Sequence, residues 1–323
     1  MSTKPVVVIT RRIPPGAEKH AAEAFDVRLN PTDTAMSPEQ LLEAMQCADA
    51  IMPTVSDKIT ADMLNVTGRR VRIVANYGVG YNNIDIAAAK KNNVVVTNTP
   101  DVLTDDTADL AIALLLMTAR RLGTGEKEIR AGEWTGWRPT HHLGTRVNGK
   151  TLGILGLGRI GRAVAKRAHD GFGMRVIYYD PPVPIGEAKA LGAEPRASIE
   201  DVLRESDFVS LHAPATPETR HLINAQTIAL MPSHAILINT ARGDIVDEPA
   251  LAEALAAKRI AGAGLDVFER EPSVHPTLLK LDNVVLLPHL GSATNEGREA
   301  MGERALDNLI AFFAGKPPRD RVA

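Results

Sequence analysis

The stretch Thr151-Leu-Gly-Ile-Leu-Gly-Leu-Gly-Arg-Ile-Gly-Arg162 decides the fold. A short strand-forming run, Thr151 to Leu155, leads into Gly156, Gly158 and Gly161, spaced G-x-G-x-x-G, and a helical run from Ile160 to Ala168 follows. In a strand–turn–helix unit the first glycine permits the tight bend and the second lets backbone approach a pyrophosphate. The third lets helix and strand pack closely, and the phosphates rest on the N–H groups and dipole of the helix start. A second strand, Val176 to Tyr179, ends at Asp180, nineteen residues past Gly161. An acid there accepts hydrogen bonds from an adenosine ribose and repels a 2′-phosphate. Strand, glycines, helix and acid in this order predict a dinucleotide site with NAD favoured, NADP remaining open. Arg159, inside the loop, offers a cation to a phosphate.

Outward from this unit, short β-branched runs alternate with longer amphipathic segments, the pattern of parallel sheets covered by helices on both faces. The fold class is α/β. Strands are expected at Val6 to Ile9, Ala50 to Met52, Val71 to Ala75 and Val94 to Thr97, with helices such as Pro38 to Cys47 and Ile84 to Asn92 between them. Thr99-Pro100 interrupts this series, and one long helix is expected from Thr104 to about Ala131, with Ala111, Leu114, Leu115 and Thr118 on one face. After a loop rich in Gly, Trp, Pro and His (Gly132 to Gly149) come strands at Thr151 to Leu155, Val176 to Tyr179, Phe208 to Leu211, Ala235 to Asn239, Gly262 to Val267 and Val284 to Leu287. These six make a doubly wound sheet, with crossovers such as Glu248 to Lys258, apolar at Leu251, Leu255 and Ala256. The last helix, Glu296 to Ala314, is expected to return to the first domain.

The 323 residues suggest about two domains at ~150 residues each. Lys plus Arg total 37 against 39 Asp plus Glu, a net charge of −2, so no bulk field favours nucleic acid or an anionic membrane. The N-terminal apolar run is too short for a secretory signal, and Ala111 to Met117 falls far short of the ~20 residues of a spanning helix. With Cys47 the single cysteine, no intramolecular disulfide forms, and a cytoplasmic location is expected.

Reduction of an α-keto acid needs a cation for the carboxylate, a hydride donor and an acid for the carbonyl oxygen. Arg242, in Asn239-Thr-Ala-Arg-Gly-Asp, follows one strand, and its planar fork suits a carboxylate. His289, in Leu287-Pro-His-Leu-Gly-Ser, follows another; an imidazole, with an unperturbed pKa of ~6.5, gives and takes a proton near neutral pH. Glu271, in Asp266-Val-Phe-Glu-Arg-Glu-Pro, follows the strand between, where a carboxylate on the far ring nitrogen fixes the tautomer and favours the imidazolium. His141-His142 lies in a loop where the sequence shows no neighbouring carboxylate or cysteine, so no metal is expected.

Together these segments resemble the D-isomer-specific 2-hydroxyacid dehydrogenase family over the whole chain, and within it most resemble glyoxylate and hydroxypyruvate reductases. Six segments match in order: Asn76-Tyr-Gly-Val-Gly-Tyr-Asn-Asn-Ile-Asp, Thr99-Pro-Asp-Val-Leu-Thr, the glycine loop, Ile238-Asn-Thr-Ala-Arg-Gly-Asp-Ile-Val-Asp, Gly264-Leu-Asp-Val-Phe-Glu-Arg-Glu-Pro and Leu287-Pro-His-Leu-Gly-Ser. The resemblance implies two Rossmann-like domains. An NAD-binding doubly wound domain, residues 101–291, is inserted into a smaller flavodoxin-like substrate domain, residues 1–100 and 292–323. It implies Arg242, Glu271 and His289 as the catalytic set, and Val79, Gly80, Arg242, His289 and Trp134 at the substrate. For the cofactor it implies Thr107, Gly156, Gly158, Arg159, Ile160, Gly161, Asp180, Pro214, Thr240 and Asp266. It further implies a homodimer through the cofactor domains, the arm Thr104 to Gly144 embracing the partner, with Trp134 or Trp137 near the partner's substrate. With the chain ending at Ala323 no regulatory domain is expected to follow, which makes a 3-phosphoglycerate dehydrogenase the lesser reading. A phosphite dehydrogenase and, in another class, an NAD-sensing corepressor-like protein remain open.

Overall fold

A computed structural model describes residues 4–323, the side chain of Ile185 excepted. The chain divides into two compact units, residues 1–103 with 292–323 and residues 104–291. No helix among the described residues is long and apolar enough to cross a membrane.

Unit 1 carries a five-stranded parallel sheet, β1 (Val6–Ile9), β2 (Asp26–Leu29), β3 (Ala50–Met52), β4 (Ile73–Ala75) and β5 (Val95–Thr97), in the order β2-β1-β3-β4-β5. This is the flavodoxin-type arrangement. The central strands are buried apolar runs, whereas β2 (Asp-Val-Arg-Leu) is a short edge strand, mostly exposed and with two charged residues in four, which is why a search for apolar runs passes over it. Helix α1 (Pro15–Ala24) starts at a proline; α2 (Pro38–Cys47) has Pro38 in its first turn and a capping box between Ser37 and Gln40. Two shorter helices follow the same logic, α3 (Ala61–Asn65) capped by Thr60 and α4 (Ile86–Lys91) capped by Asp85. The last helix, α12 (Asn295–Phe313), capped by Thr294, lies in this unit. It crosses α1 where Gly302 faces Ala17; a Cβ on Gly302 would stand 2.5 Å from that of Ala17.

In unit 2 seven parallel strands follow: β6 (Thr151–Leu155), β7 (Arg175–Tyr179), β8 (Ala193–Pro195), β9 (Phe208–Leu211), β10 (Ile236–Asn239), β11 (Gly262–Leu265) and β12 (Val284–Leu286). Their order is β12-β11-β10-β9-β6-β7-β8. The expected six become seven because β8, three residues at the edge with Glu194 and Pro195 exposed, carries no apolar pattern. One face is covered by α5 (Thr104–Ala119) and α7 (Arg159–Phe172) over Leu152, Ile154 and Ile238; the other by α9 (Ile199–Glu205), α10 (Ala225–Ile228) and α11 (Glu248–Ala256) over Val209, Leu237 and Leu265. The short α8 (Ile185–Lys189) precedes β8.

Two further expectations need correction. The single helix from Thr104 to Ala131 is two, α5 and α6 (Leu122–Ala131), because Arg121 turns left-handed at φ 53° and the Ala119 carbonyl is taken by the N–H of Thr145 at 2.7 Å. Gly123 and Gly125 weaken helix continuation there. On α11, Leu251 and Leu255 are buried but Ala256 is exposed and Ala252 is the third buried apolar position, since 100° per residue carries Ala256 off the stripe.

Helix α5 lies close on the sheet because β11 presents glycines beneath it: a Cβ on Gly264 would stand 2.9 Å from Thr118 Oγ1 and 3.2 Å from Leu114 Cβ. Leu114 is fully buried in that contact. Leu114→Ala is expected to destabilise unit 2 by about 2–5 kcal/mol, a transfer term plus a cavity that glycine-backed strands cannot collapse to fill. Denaturant titration measures this; an unchanged midpoint contradicts it.

Candidate active site

The carboxyl ends of β10, β11 and β12 each lead into one member of the expected constellation. After β10, the buried Asn239 bridges the turn, its Nδ2 donating to Arg242 O at 2.9 Å and its Oδ1 accepting from Ala241 N at 3.0 Å. Gly243 then passes so close to the chain after β11 that a Cβ would lie 1.9 Å from the Phe268 carbonyl carbon. No other residue fits. Arg242 is half-buried, with Nη1 donating to Ala241 O at 2.7 Å. Burial pulls its guanidinium pKa down from the ordinary value, while Glu271 and Asp244 oppose the shift.

After β11, Glu271 reaches two partners: Oε1 accepts from Phe268 N at 3.1 Å and Oε2 lies 2.9 Å from His289 Nδ1. Burial alone would push its carboxyl up, but the His289 hydrogen bond and charge, the Phe268 N–H and Arg242 hold it below the usual carboxylate range. With Nδ1 committed to Glu271, Nε2 is the ring atom left for a reacting group. His289 itself sits in left-handed backbone, φ 55°, a conformation that favours glycine.

Asp266 explains how that turn is held. Fully buried, it accepts Leu290 N at 2.6 Å on Oδ1 and Gly291 N at 2.8 Å on Oδ2, while its own carbonyl accepts His289 N at 2.9 Å. Burial raises its carboxyl pKa; the two N–H bonds and His289 work against that rise. Thr107 Oγ1 ties the same turn to α5 by donating to Gly291 O at 2.9 Å. Sequence reasoning placed Asp266 and Thr107 at the cofactor and missed this positioning work. It also missed Glu248, buried at the start of α11, whose oxygens accept Glu269 N at 2.9 Å and His275 N at 2.6 Å and so clamp the loop carrying Glu271. An acid beside the helix-capping Asp247 was the only signal.

The glycine loop shows three different needs. Gly156 has φ 94° and a Cβ there would stand 2.6 Å from Ala213 N, next to Pro214; Gly161 would press a Cβ to 2.2 Å from Gly156 O. Gly158, the cap of α7, has nothing within 4 Å of its Cβ position and brings no side-chain acceptor to the first-turn N–H groups of Arg159, Ile160 and Gly161. Space at the second glycine, beside the start of α7, forms a cradle that a pyrophosphate fits. Asp180 borders it, Oδ2 accepting Leu157 N at 2.7 Å. Thr240 Oγ1 is buried without a hydrogen-bond partner, as expected of a hydroxyl facing a ligand.

Considered by itself, unit 1 prepares two donors. Gly78 O accepts from Asn76 Nδ2 at 3.2 Å and from Thr99 N, and Val79 O accepts from Asn98 Nδ2 at 2.8 Å. Since a trans peptide sets N–H opposite C=O, the N–H groups of Val79 and Gly80 point away from those amides. In the arm, Trp134 and Trp137 are exposed. The expectation that His141-His142 has no carboxylate nearby is corrected: the loop folds back and both rings meet Glu128 of α6.

A sequence profile described as "D-isomer specific 2-hydroxyacid dehydrogenase, NAD binding domain" matches residues 112–291. The chain is 49% identical over 323 residues to a glyoxylate reductase of Thermococcus litoralis, covering 99% of this chain and 97% of that one. Among solved structures it is similar to a glyoxylate reductase from Paecilomyes thermophila (TM-score 0.88, 32% identity, 100% and 99% of the two chains). It is also similar to an NADPH-dependent glyoxylate/hydroxypyruvate reductase from Sinorhizobium meliloti solved with NADP and malonate (TM-score 0.87, 35% identity, 99% and 97%). Sequence match, strand order and site geometry agree, and the chain belongs to the D-isomer specific 2-hydroxyacid dehydrogenase family.

Proposed function

We propose that this protein is a reductase of small 2-keto acids, glyoxylate and hydroxypyruvate, to D-2-hydroxy acids, using NADH. The observation that carries the reading is the His289–Glu271 pair at 2.9 Å with Arg242 in the adjoining loop, in a chain close to glyoxylate reductases over its whole length. When bound, the nicotinamide supplies the hydride for the carbonyl carbon. Arg242 grips the substrate carboxylate and polarises the carbonyl beside it. The Val79 and Gly80 N–H groups take the same carboxylate. His289 Nε2 gives its proton to the carbonyl oxygen as charge develops there, while Glu271 on Nδ1 fixes the ring and stabilises the imidazolium. Oxidation of the hydroxy acid returns the proton to the same atom.

The acid must carry its proton for reduction and lack it for oxidation. Reduction therefore falls, and oxidation rises, as rising pH removes that proton. Removing the Glu271 charge in Glu271→Gln takes away the anion that orients the ring and stabilises the imidazolium, and should lower kcat for reduction at neutral pH. His289→Gln should lower kcat about 10²–10⁴-fold. The assay is NADH oxidation with glyoxylate, hydroxypyruvate, pyruvate and longer keto acids. A rate-limiting hydride transfer that ignores pH, or preference for the longer acids, contradicts the reading.

For the cofactor, Thr107, Gly156, Gly158, Arg159, Ile160, Gly161, Asp180, Pro214, Thr240 and Asp266 form the binding set in this proposal. The Asp180 carboxylate supports NAD over NADP: Oδ2 is engaged by Leu157 N–H, Oδ1 remains for the ribose, and the charge repels a 2′-phosphate. Asp180→Asn keeps an oxygen for Leu157 while removing the charge. The NADH-to-NADPH ratio of kcat/KM should fall by at least about tenfold, on the order of the ~1.4 kcal/mol that a tenfold change represents. A native enzyme that prefers NADPH overturns the assignment.

Trp137, 81% exposed, and Leu122, Ile129 and Leu143, each half or more exposed, gather on α6 and the loop after it. Aromatic and aliphatic exposure of this kind supports a homodimer through the cofactor unit, with Trp134 at the partner's substrate. Sedimentation should give two chains per particle. Trp137→Glu should shift it toward one, and an unshifted dimer would place the interface elsewhere.

A further inference from the structure

The loop after α6 brings two adjacent histidines onto one carboxylate oxygen. His141 Nε2 and His142 Nε2 each lie 2.9 Å from Glu128 Oε2, and the three donor atoms lie within 4.8 Å of one another. The rings sit side by side, 4.0 Å between centroids and 33° between planes. Consecutive side chains do not ordinarily point the same way. Here His142 takes left-handed backbone, φ 46°, and His141 N closes a turn on Arg138 O at 3.2 Å.

The loop is anchored at both ends. Gly132 ends α6 in left-handed backbone, with Glu133 N donating to Glu128 O at 3.1 Å. At the far end Gly144 packs where a Cβ would stand 2.3 Å from Ala119 O. The three side chains are 15–30% exposed and border a hollow of about 330 Å³ to which Glu133 and Asp282 also contribute. Arg138 stands 3.9 Å from the other Glu128 oxygen, Oε1, leaving Oε2 as the one the imidazoles share.

Two imidazoles and a carboxylate are a Zn²⁺ donor set, with bonds of ~2.0–2.2 Å and a fourth position open to water. Ligand atoms of a tetrahedron that size stand ~3.3 Å apart, a spacing that three donor atoms already within 4.8 Å of one another reach by side-chain rotation. We propose that Glu128, His141 and His142 bind one divalent transition-metal ion of the Zn²⁺ class, with the hollow supplying the fourth ligand as water, Glu133 or Asp282. The ion clips the loop to α6. Between the clipped points lie Trp134 and Trp137, the two tryptophans of the chain.

The test uses the full chain, stripped with a chelator and titrated with Zn²⁺ against a chromophoric indicator, with tryptophan fluorescence recorded alongside. One ion per chain and a fluorescence change of the same midpoint are expected; Co²⁺ should give the visible absorption of a tetrahedral site. His141→Gln and His142→Asn, the latter because Asn tolerates left-handed backbone, should each raise Kd at least about tenfold, the loss that even an outer-shell partner costs. Circular dichroism verifies that both remain folded. His20→Gln and His234→Gln, whose rings also pair with carboxylates, Glu303 and Asp207, should leave Kd unchanged. Absence of stoichiometric binding overturns the proposal, as does binding that survives both loop substitutions or moves with the control histidines. No turnover enters these measurements, so they stand or fall apart from the proposed reduction.

Discussion

The buried carboxylate of Asp266 holds the functional end of unit 2 together. It stands at the end of β11 and spends both oxygens on the N–H groups that follow His289, so three consecutive residues after β12 are bonded to one residue of the neighbouring strand. A left-handed histidine costs on the order of 1–3 kcal/mol and persists only where its surroundings fix it. These bonds do so, and they also offset the cost of burying the acid's charge. Ring orientation, and with it the meeting of Nδ1 and Glu271, follows from a turn that Asp266 enforces.

Close backbone approach supplies the second constraint. Gly243 lies against Phe268, and Gly156 against Ala213, at distances no Cβ tolerates. Each contact joins the loop after one strand to the loop after its neighbour, so the residues at those strand ends share one geometry instead of moving as independent loops. Arg242 is thereby brought within electrostatic reach of Glu271.

The α/β class, the strand series around the glycine motif and the residues at the ends of β10, β11 and β12 were legible in the sequence because buried parallel strands read as apolar runs and glycine spacing reports a specific turn. The edge strands β2 and β8 were not, since an edge has one face to solvent and need not be apolar. The break at Arg121 was hidden because its cause, Thr145 taking the Ala119 carbonyl, lies 26 residues downstream of that carbonyl. The same holds for His141 and His142. Their carboxylate, Glu128, precedes them on a helix, and only the fold-back of the loop between joins them. Asn76 and Asn98 were quoted or passed over as sequence, but their hold on the carbonyls of Gly78 and Val79 is a property of the folded loop.

In the proposed reaction, charge balance links the acid to the substrate grip. Glu271 is depressed by His289 and Arg242 together despite its burial, so one anion serves two cations. With the imidazolium present the trio carries one net positive charge, which a substrate carboxylate neutralises. Once the proton is gone the trio is neutral, and burying a further anion beside it is less favourable. On the proposed roles, substrate binding and proton loading are therefore coupled through Glu271: a keto-acid anion favours the protonated site that its reduction requires. The same anion on the hydroxy acid restrains release of the proton that oxidation must leave behind. A carboxylate tied to only one of the two cations would orient the ring equally well but would not couple the two equilibria.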